Sequence, residues 1–301
     1  MKKKYLLLPL LIALSMQLFG ATISVARRMP SQLDLSFANS IEFLPIRIYA
    51  PKRGDTFEQD QKAIGNKFIS ALSDYQKDDG KFIIINGKSD ISIQVSFTDF
   101  NVKDNGVTLT QDVEGETVVI KDEWTRQVSA MMEVMIIKSA DNSVISKNEY
   151  KLFDTTSSYS PKAELKEPQY IVENQLRGFV YQIATLIFDI PYNQPMTIMD
   201  SKSKDKQVKE KMKSAKKLLS GKNLDYEAAK AIYKEIYEST DDIAAGYNYS
   251  RMLQISKDFD AAEELLNKFT AANPKDKTFK KALEDLEKDR EETKILDSRK
   301  K

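Results

Sequence analysis

Two copies of one pattern, Asp225-Tyr226-Glu227-Ala228-Ala229 and Asp258-Phe259-Asp260-Ala261-Ala262, stand 33 residues apart. Four residues beyond each second Ala comes a large apolar side chain, Tyr233 in the first copy and Leu266 in the second, and Pro274 follows the second. An Asp placed before an apolar run at helical spacing reads as a helix start. A unit of this length, repeated, reads as stacked helical hairpins that bury their apolar faces on one another and present a surface for binding. Helical spacing begins near Val208 with Met212, Ala215, Leu218 and Leu219, and Gly221 and Asn223 break it. A helix capped by Asp225 follows, then one entered through Thr240, Asp241 and Asp242 with Ala245, Tyr249, Met252 and Leu253. Asp258 caps the fourth, which carries Ala262, Leu265, Leu266 and Phe269. Thr278 to Asp297, dense in Lys, Glu and Asp, suits a polar-faced closing helix with Phe279, Leu283, Leu286 and Ile295 turned inward.

Upstream of this module the patterning changes. Residues 201–217 carry eight lysines against Asp205 and Glu210, and a solvated linker over 201–207 is the expected reading of such a charge run. Residues 21–200 alternate strand and helix signals. Thr22 to Ala26, Leu33 to Phe37, Ile41 to Tyr49 and Phe82 to Ile85 read as strands, the last short and buried. In Ile91, Ile93, Val95 and Phe97 every second residue is apolar, which predicts one packed face and one in water. Residues 101–123 are polar with short β pieces around a hairpin tip at Glu114-Gly115-Glu116. Val128, Ala130, Met132, Val134 and Ile136 on one face, with Met131, Met135 and Ile137 on the other, predict a central strand, and Ala140 to Ser143 turns it into a hairpin with Val144 to Phe153. Two amphipathic helices are expected. One runs over about 56–75 on Phe57, Ile64, Phe68, Leu72 and Tyr75. The other runs over about 168–189 on Val172, Leu176, Phe179, Ile183 and Ile187, and ends at Pro191. Burying that stripe contributes roughly 1.5–3 kcal/mol per large side chain, so Phe179→Asp is expected to unfold the domain. The fold class expected is α+β, a mixed sheet with two main helices, followed by an all-α repeat domain over 208–301.

The 301 residues include no His and no Cys. That excludes Ser-His-Asp and Cys-His catalysis, thiol redox chemistry and zinc sites built on either residue. Ten Gly residues never form a phosphate-cradling loop. No enzyme activity, cofactor or metal is expected. The formal net charge of +1 gives no bias toward nucleic acid. Among candidate partner-binding residues, Tyr249 and Arg251 lie on a repeat helix, and Trp124, the only Trp, is either a partner anchor or a core or sheet-edge residue. Met131, Met132 and Met135 read as core filler. Asn248-Tyr249-Ser250 matches a glycosylation acceptor but lies inside a helix, and is discounted.

At the N-terminus, Lys2, Lys3 and Lys4 precede an apolar run from Tyr5 to Leu14, which reads as a signal peptide over 1–20 cleaved after Gly20. Leu18-Phe19-Gly20 is similar to a lipoprotein box, but Ala21 stands where the acylated Cys belongs, so a periplasmic protein without a lipid anchor is expected, with no stable membrane insertion after cleavage.

The order of elements over 22–195 resembles the curli-transport (CsgG-like) and penicillin-binding-protein-activator (LpoB-like) envelope proteins. The resemblance rests on Ile41 to Tyr49, the helix Ile64 to Leu72, Phe82-Ile83-Ile84-Ile85, Ser89-Asp90-Ile91-Ser92-Ile93, the turn at Ser139 to Ile145 and the helix before Pro191-Tyr192. It departs from the pore-forming members because Val107 to Lys121 lacks an aromatic girdle. The C-terminal module resembles the tetratricopeptide repeat, W-x2-L-G-x2-Y…A-x3-F…P. Gly246, Tyr249, Ser250, Leu253, Ala262, Leu266 and Pro274 fall at those places, with Gly246 departing from Trp and weakening the contact there. Together the resemblances imply an exported, non-catalytic adaptor that binds envelope proteins through both domains. An oligomeric secretion or assembly component and a carboxylate-dependent cell-wall hydrolase are the alternatives.

Overall fold

The computed structural model describes residues 21–49, 58–158, 165–221 and 224–299. The signal peptide expected over 1–20, the helix start at Phe57 and the break at Asn223 lie outside the described residues. The protein is α+β: a mixed sheet with two main helices, followed by helical hairpins. It forms two units. Pro30–Ile190 is one, and the residues up to Met29 join Pro191–Lys301 as the other. The division does not fall at 200, because strand β1 (Thr22–Met29) pairs with β8 (Ile190–Thr197) and its Ile23 and Val25 share an apolar cluster with the helices that follow.

In the sheet unit the strands are β2 (Ser40–Phe43), β3 (Arg47–Ile48), β4 (Ile83–Ile84), β5 (Ile91–Val113), β6 (Glu116–Lys138) and β7 (Ser143–Ser158). The order is β4-β2-β5-β6-β7, with β3 also pairing β5; β2 pairs β4 and β5 in parallel, and β5, β6 and β7 run antiparallel. The helices are α1 (Glu58–Asp79), the single turn α2 (Pro168–Ile171) and α3 (Glu173–Ile187). α1 and α3 lie side by side and reach β5 and β7. The register places Val95 against Val134 and Phe97 against Met132, all fully buried, and Tyr150, opposite Met132, stacks on Phe179 of α3 with ring centroids 4.5 Å apart.

Five sequence expectations change here. The other face of β5 is not in water: Gln94 and Ser96 are buried, the Gln94 amide donates to the Pro45 carbonyl at 2.8 Å, and Ser92 Oγ lies 2.9 Å from Ser139 Oγ. The polar stretch 101–123 is no set of short pieces but the outer part of two continuous 23-residue strands. Its tip is at Glu114 and Gly115, both at positive φ, a turn suited to the twist of a hairpin. Leu33 to Phe37 is a loop, held by Ser36 N donating to Asp34, and Ile83 and Ile84 are exposed on the edge strand while Phe82 beside them is buried. On α3 the deep positions are Leu176, Val180, Ile183 and Ile187; Phe179 is only half-buried.

The helical unit holds α4 (Lys206–Leu218), α5 (Tyr226–Thr240), α6 (Ile243–Ile255), α7 (Phe259–Ala272) and α8 (Lys277–Ser298). Asp205, Asp225, Asp242 and Asp276 each cap a helix by accepting a main-chain N–H, from Gln207, Ala228, Ala245 and Thr278. Asp258 holds the N-cap place of α7 without a side-chain bond. Two apolar clusters flank α6. Val208, Met212, Ala229, Tyr233 and Met252 join Ile23, Val25, Met196 and Ile198 in one; Tyr247, Leu253, Ala262, Leu266, Phe269 and Phe279 form the other. Gly246 does not weaken the hairpin contact. A Cβ there would stand 2.5 Å from Phe269 and 2.6 Å from Tyr237, whose rings meet edge to face at 5.8 Å. Aromatic side chains of the neighbouring helices fill the space from the other side.

Ile183→Asp should abolish the cooperative melt of the sheet unit, whereas Phe179→Asp should keep it and lower its midpoint; thermal melts by circular dichroism compare them. Gly246→Ala should destabilise the helical unit by about 1–3 kcal/mol despite alanine's better helix propensity, read from the denaturant midpoint.

Candidate functional site

Strands β1 and β8 pack against the helical hairpins, and one buried carboxylate fastens them. Asp289 on α8 is 3% exposed. Its Oδ1 accepts from Gln194 Nε2 of β8 at 3.0 Å, its Oδ2 accepts from Gln254 Nε2 of α6 at 2.6 Å, and Arg27 Nη2 of β1 lies 3.0 Å from Oδ2. Arg27 also donates to Gln194 Oε1 at 3.2 Å. A charge taken out of water needs this density of partners, or its desolvation outweighs its attraction. Nearby, Tyr192 of β8 donates its hydroxyl to Glu292 at 2.9 Å, and burial, then that bond, pushes the phenol up from its ordinary value.

Past β8 the chain runs along α6. Asn248, fully buried, clasps Met199 with both ends of its amide: Met199 N donates to Oδ1 at 2.7 Å, and Nδ2 donates to Met199 O at 2.9 Å. This is the pairing one strand offers another, supplied by a side chain. Ser201 Oγ then donates to Asp242 at 2.5 Å.

Beside this clasped segment lies an open groove of about 1010 Å³. Its walls are Pro195, Thr197 and Met199 to Lys202 on the exit segment, Asp242 to Ala244, Tyr247 and Arg251 of α6, and residues between Asn273 and Asp285. The starts of α6 and α8 both border it. Its four carboxylates are engaged. Asp200 pairs with Lys216 at 2.8 Å, Asp242 and Asp276 cap helices, and Asp285 pairs with Arg251 and Lys281, each at 3.3 Å. Lys202, Lys275 and Lys277 pair with no acid among the described residues. Burial raises the Tyr247 phenol, which stays protonated. Among the described residues no three metal-ligating side chains gather to hold an ion.

The expected partner-binding residues separate. Arg251 is in the groove wall, 1% exposed, with Nη1 donating to the Ala282 carbonyl at 3.2 Å and Nε without a partner. Tyr249 is partly buried between the two apolar clusters and does not line the groove. Trp124 belongs to the sheet unit, opposite Gly106 on β5, where a Cβ would meet its ring at 2.8 Å; the structure does not bring it to the groove. Asn248, Gln254 and Asp289 went unrecognised. The signal was the polar trio Asn248, Arg251 and Gln254 at three-residue intervals on a helix whose other side chains are apolar, Ser250 excepted.

No family model and no curated protein matches the chain. Solved structures similar to it include the protein CT253 of Chlamydia trachomatis, 11% identical over 49% of this chain and 96% of its own, with a TM-score of 0.31. A PelC dodecamer of Paraburkholderia phytofirmans is 8% identical over 55% and 97%, with a TM-score of 0.28. Lipoprotein GNA1162 of Neisseria meningitidis is 8% identical over 48% and 98%, with a TM-score of 0.25. No family assignment follows from likenesses at these scores.

Asp289→Ala leaves the Arg27 guanidinium and two amides buried without their acceptor. It should cost about 3–5 kcal/mol, the usual cost of breaking a buried pair, measured by chemical denaturation. The freed β1 should also become sensitive to trypsin at Arg27 in the otherwise folded chain.

Proposed function

We propose that the protein is an exported, non-catalytic adaptor of the cell envelope that holds a partner protein on the inner side of its helical hairpins. The observation that carries this reading is the groove beside the Asn248 clasp: α6 already holds 199 of its own chain by main-chain pairing, and an open valley continues next to it. A surface built to hold one extended segment is chemically suited to hold another. The engagement of all four groove carboxylates in caps or ion pairs supports binding over hydrolysis, since a general acid or base needs a free carboxylate. Placement in the envelope rests on the N-terminal pattern of lysines and apolar residues. Among the described residues no helix is long and apolar enough to cross a membrane.

A photo-crosslinker placed at Ile243, half exposed on the groove lip, should trap a discrete protein partner in envelope extract with the whole chain. The same group at Lys294, exposed on α8 and outside the groove, should not. Equal products from the two positions, or none from Ile243, would remove the groove as the partner site.

A further inference from the structure

The groove's charge identifies what it takes. We infer that its partner is an extended peptide segment rich in Asp or Glu, seated against Lys202, Lys275 and Lys277 with Arg251 behind them; this rests on the adaptor reading above. The three lysines are exposed and have no acidic partner among the described residues, while every groove carboxylate is occupied within the protein. The remaining groove lysine, Lys281, shares Asp285 with Arg251.

Two further features point the same way. The N-terminal ends of α6 and α8, helices of 13 and 22 residues, border the groove, and such ends favour negative charge, though Asp242 and Asp276 already cap them. Arg251 adds a fixed cation to the wall: its side chain is 1% exposed and is held by the Ala282 carbonyl and Asp285. The lysines in front of it meet the acids of the peptide. Ile243, 48% exposed on the same lip, offers an apolar contact between the charges.

The test is fluorescence anisotropy with the whole chain and three probes: a labelled peptide of alternating Glu and Ala, its Gln counterpart, and labelled polyphosphate. The Glu peptide should bind, weaken as salt rises, and exceed the Gln peptide by about tenfold or more, the sum of a few exposed ion pairs. K202E/K275E/K277E, whose exposed positions leave the fold intact as checked by its melt, should lose that preference. K209E/K213E/K217E, altering exposed lysines of α4 outside the groove, should keep it. Equal binding of the Glu and Gln peptides, equal loss in both triple variants, or tighter binding of polyphosphate than of the Glu peptide would each overturn the inference. If the Ile243 crosslink survives such a result, the adaptor reading stands and only the acidic character of the partner is wrong. If the crosslink also fails, both fall.

Discussion

Asp289 is the constraint on which the helical unit turns. An ionised carboxylate inside a protein is tolerated only where donors surround it, and here those donors come from three separate stretches, Arg27, Gln194 and Gln254. The net therefore fixes which strands lie on α6 and α8 and in what register. Apolar contact alone would not be so selective, since Ile23, Val25, Met196 and Ile198 are interchangeable in kind with many other side chains. The polar net adds direction, through contacts of 2.6 to 3.2 Å that each need a particular donor and acceptor.

That fastening shapes the groove. With β8 secured, the residues after it are delivered to Asn248, and the valley beyond them is what remains of the inner side of the hairpins. The chain thus supplies one wall of its own groove. On the proposed reading, selectivity rests less on α6, which is buried almost throughout, than on Lys202 after β8, Lys275 in the turn before α8 and Lys277 at its start.

Much of this was legible in the sequence, and the reasons for the rest are physical. The helices, the caps at Asp225 and Asp242 and the central strand β6 follow from periodicity and local chemistry, which depend on neighbours in the chain. The hairpin tip at Glu114-Gly115 is legible for the same reason, because the backbone there needs residues that accept positive φ. The outer parts of β5 and β6 were not: most of β5 beyond Phe100 is polar, and main-chain pairing carries the two strands on to the tip. β8 was hidden by Pro191 and Pro195, which read as stops; a two-stranded ribbon has free edges that tolerate proline. Gln94 and Ser96 misled because alternation was taken for exposure, when their polar groups find partners within the protein. Of the groove, Arg251 was legible as a lone cation on a repeat helix; Asn248 and Asp289 act on residues far away in sequence, which no local pattern announces.

The pairing of β1 with β8 also sets an order of events in biogenesis. β1 is made before everything it packs against, since β8 and the helices from Val208 onward come only after residues 30–190. The sheet unit has all its strands and both main helices between those limits and can form while β1 waits. The helical unit has the opposite history: its first strand is its oldest part, and it closes only when a contact spanning more than half the chain is made, the slow kind of contact in folding. In the meantime β1 is an unpaired strand with Ile23 and Val25 uncovered, the state in which strands join wrong partners. A truncated chain beginning at 201 would lack β1 and β8 altogether, and with them one side of its core.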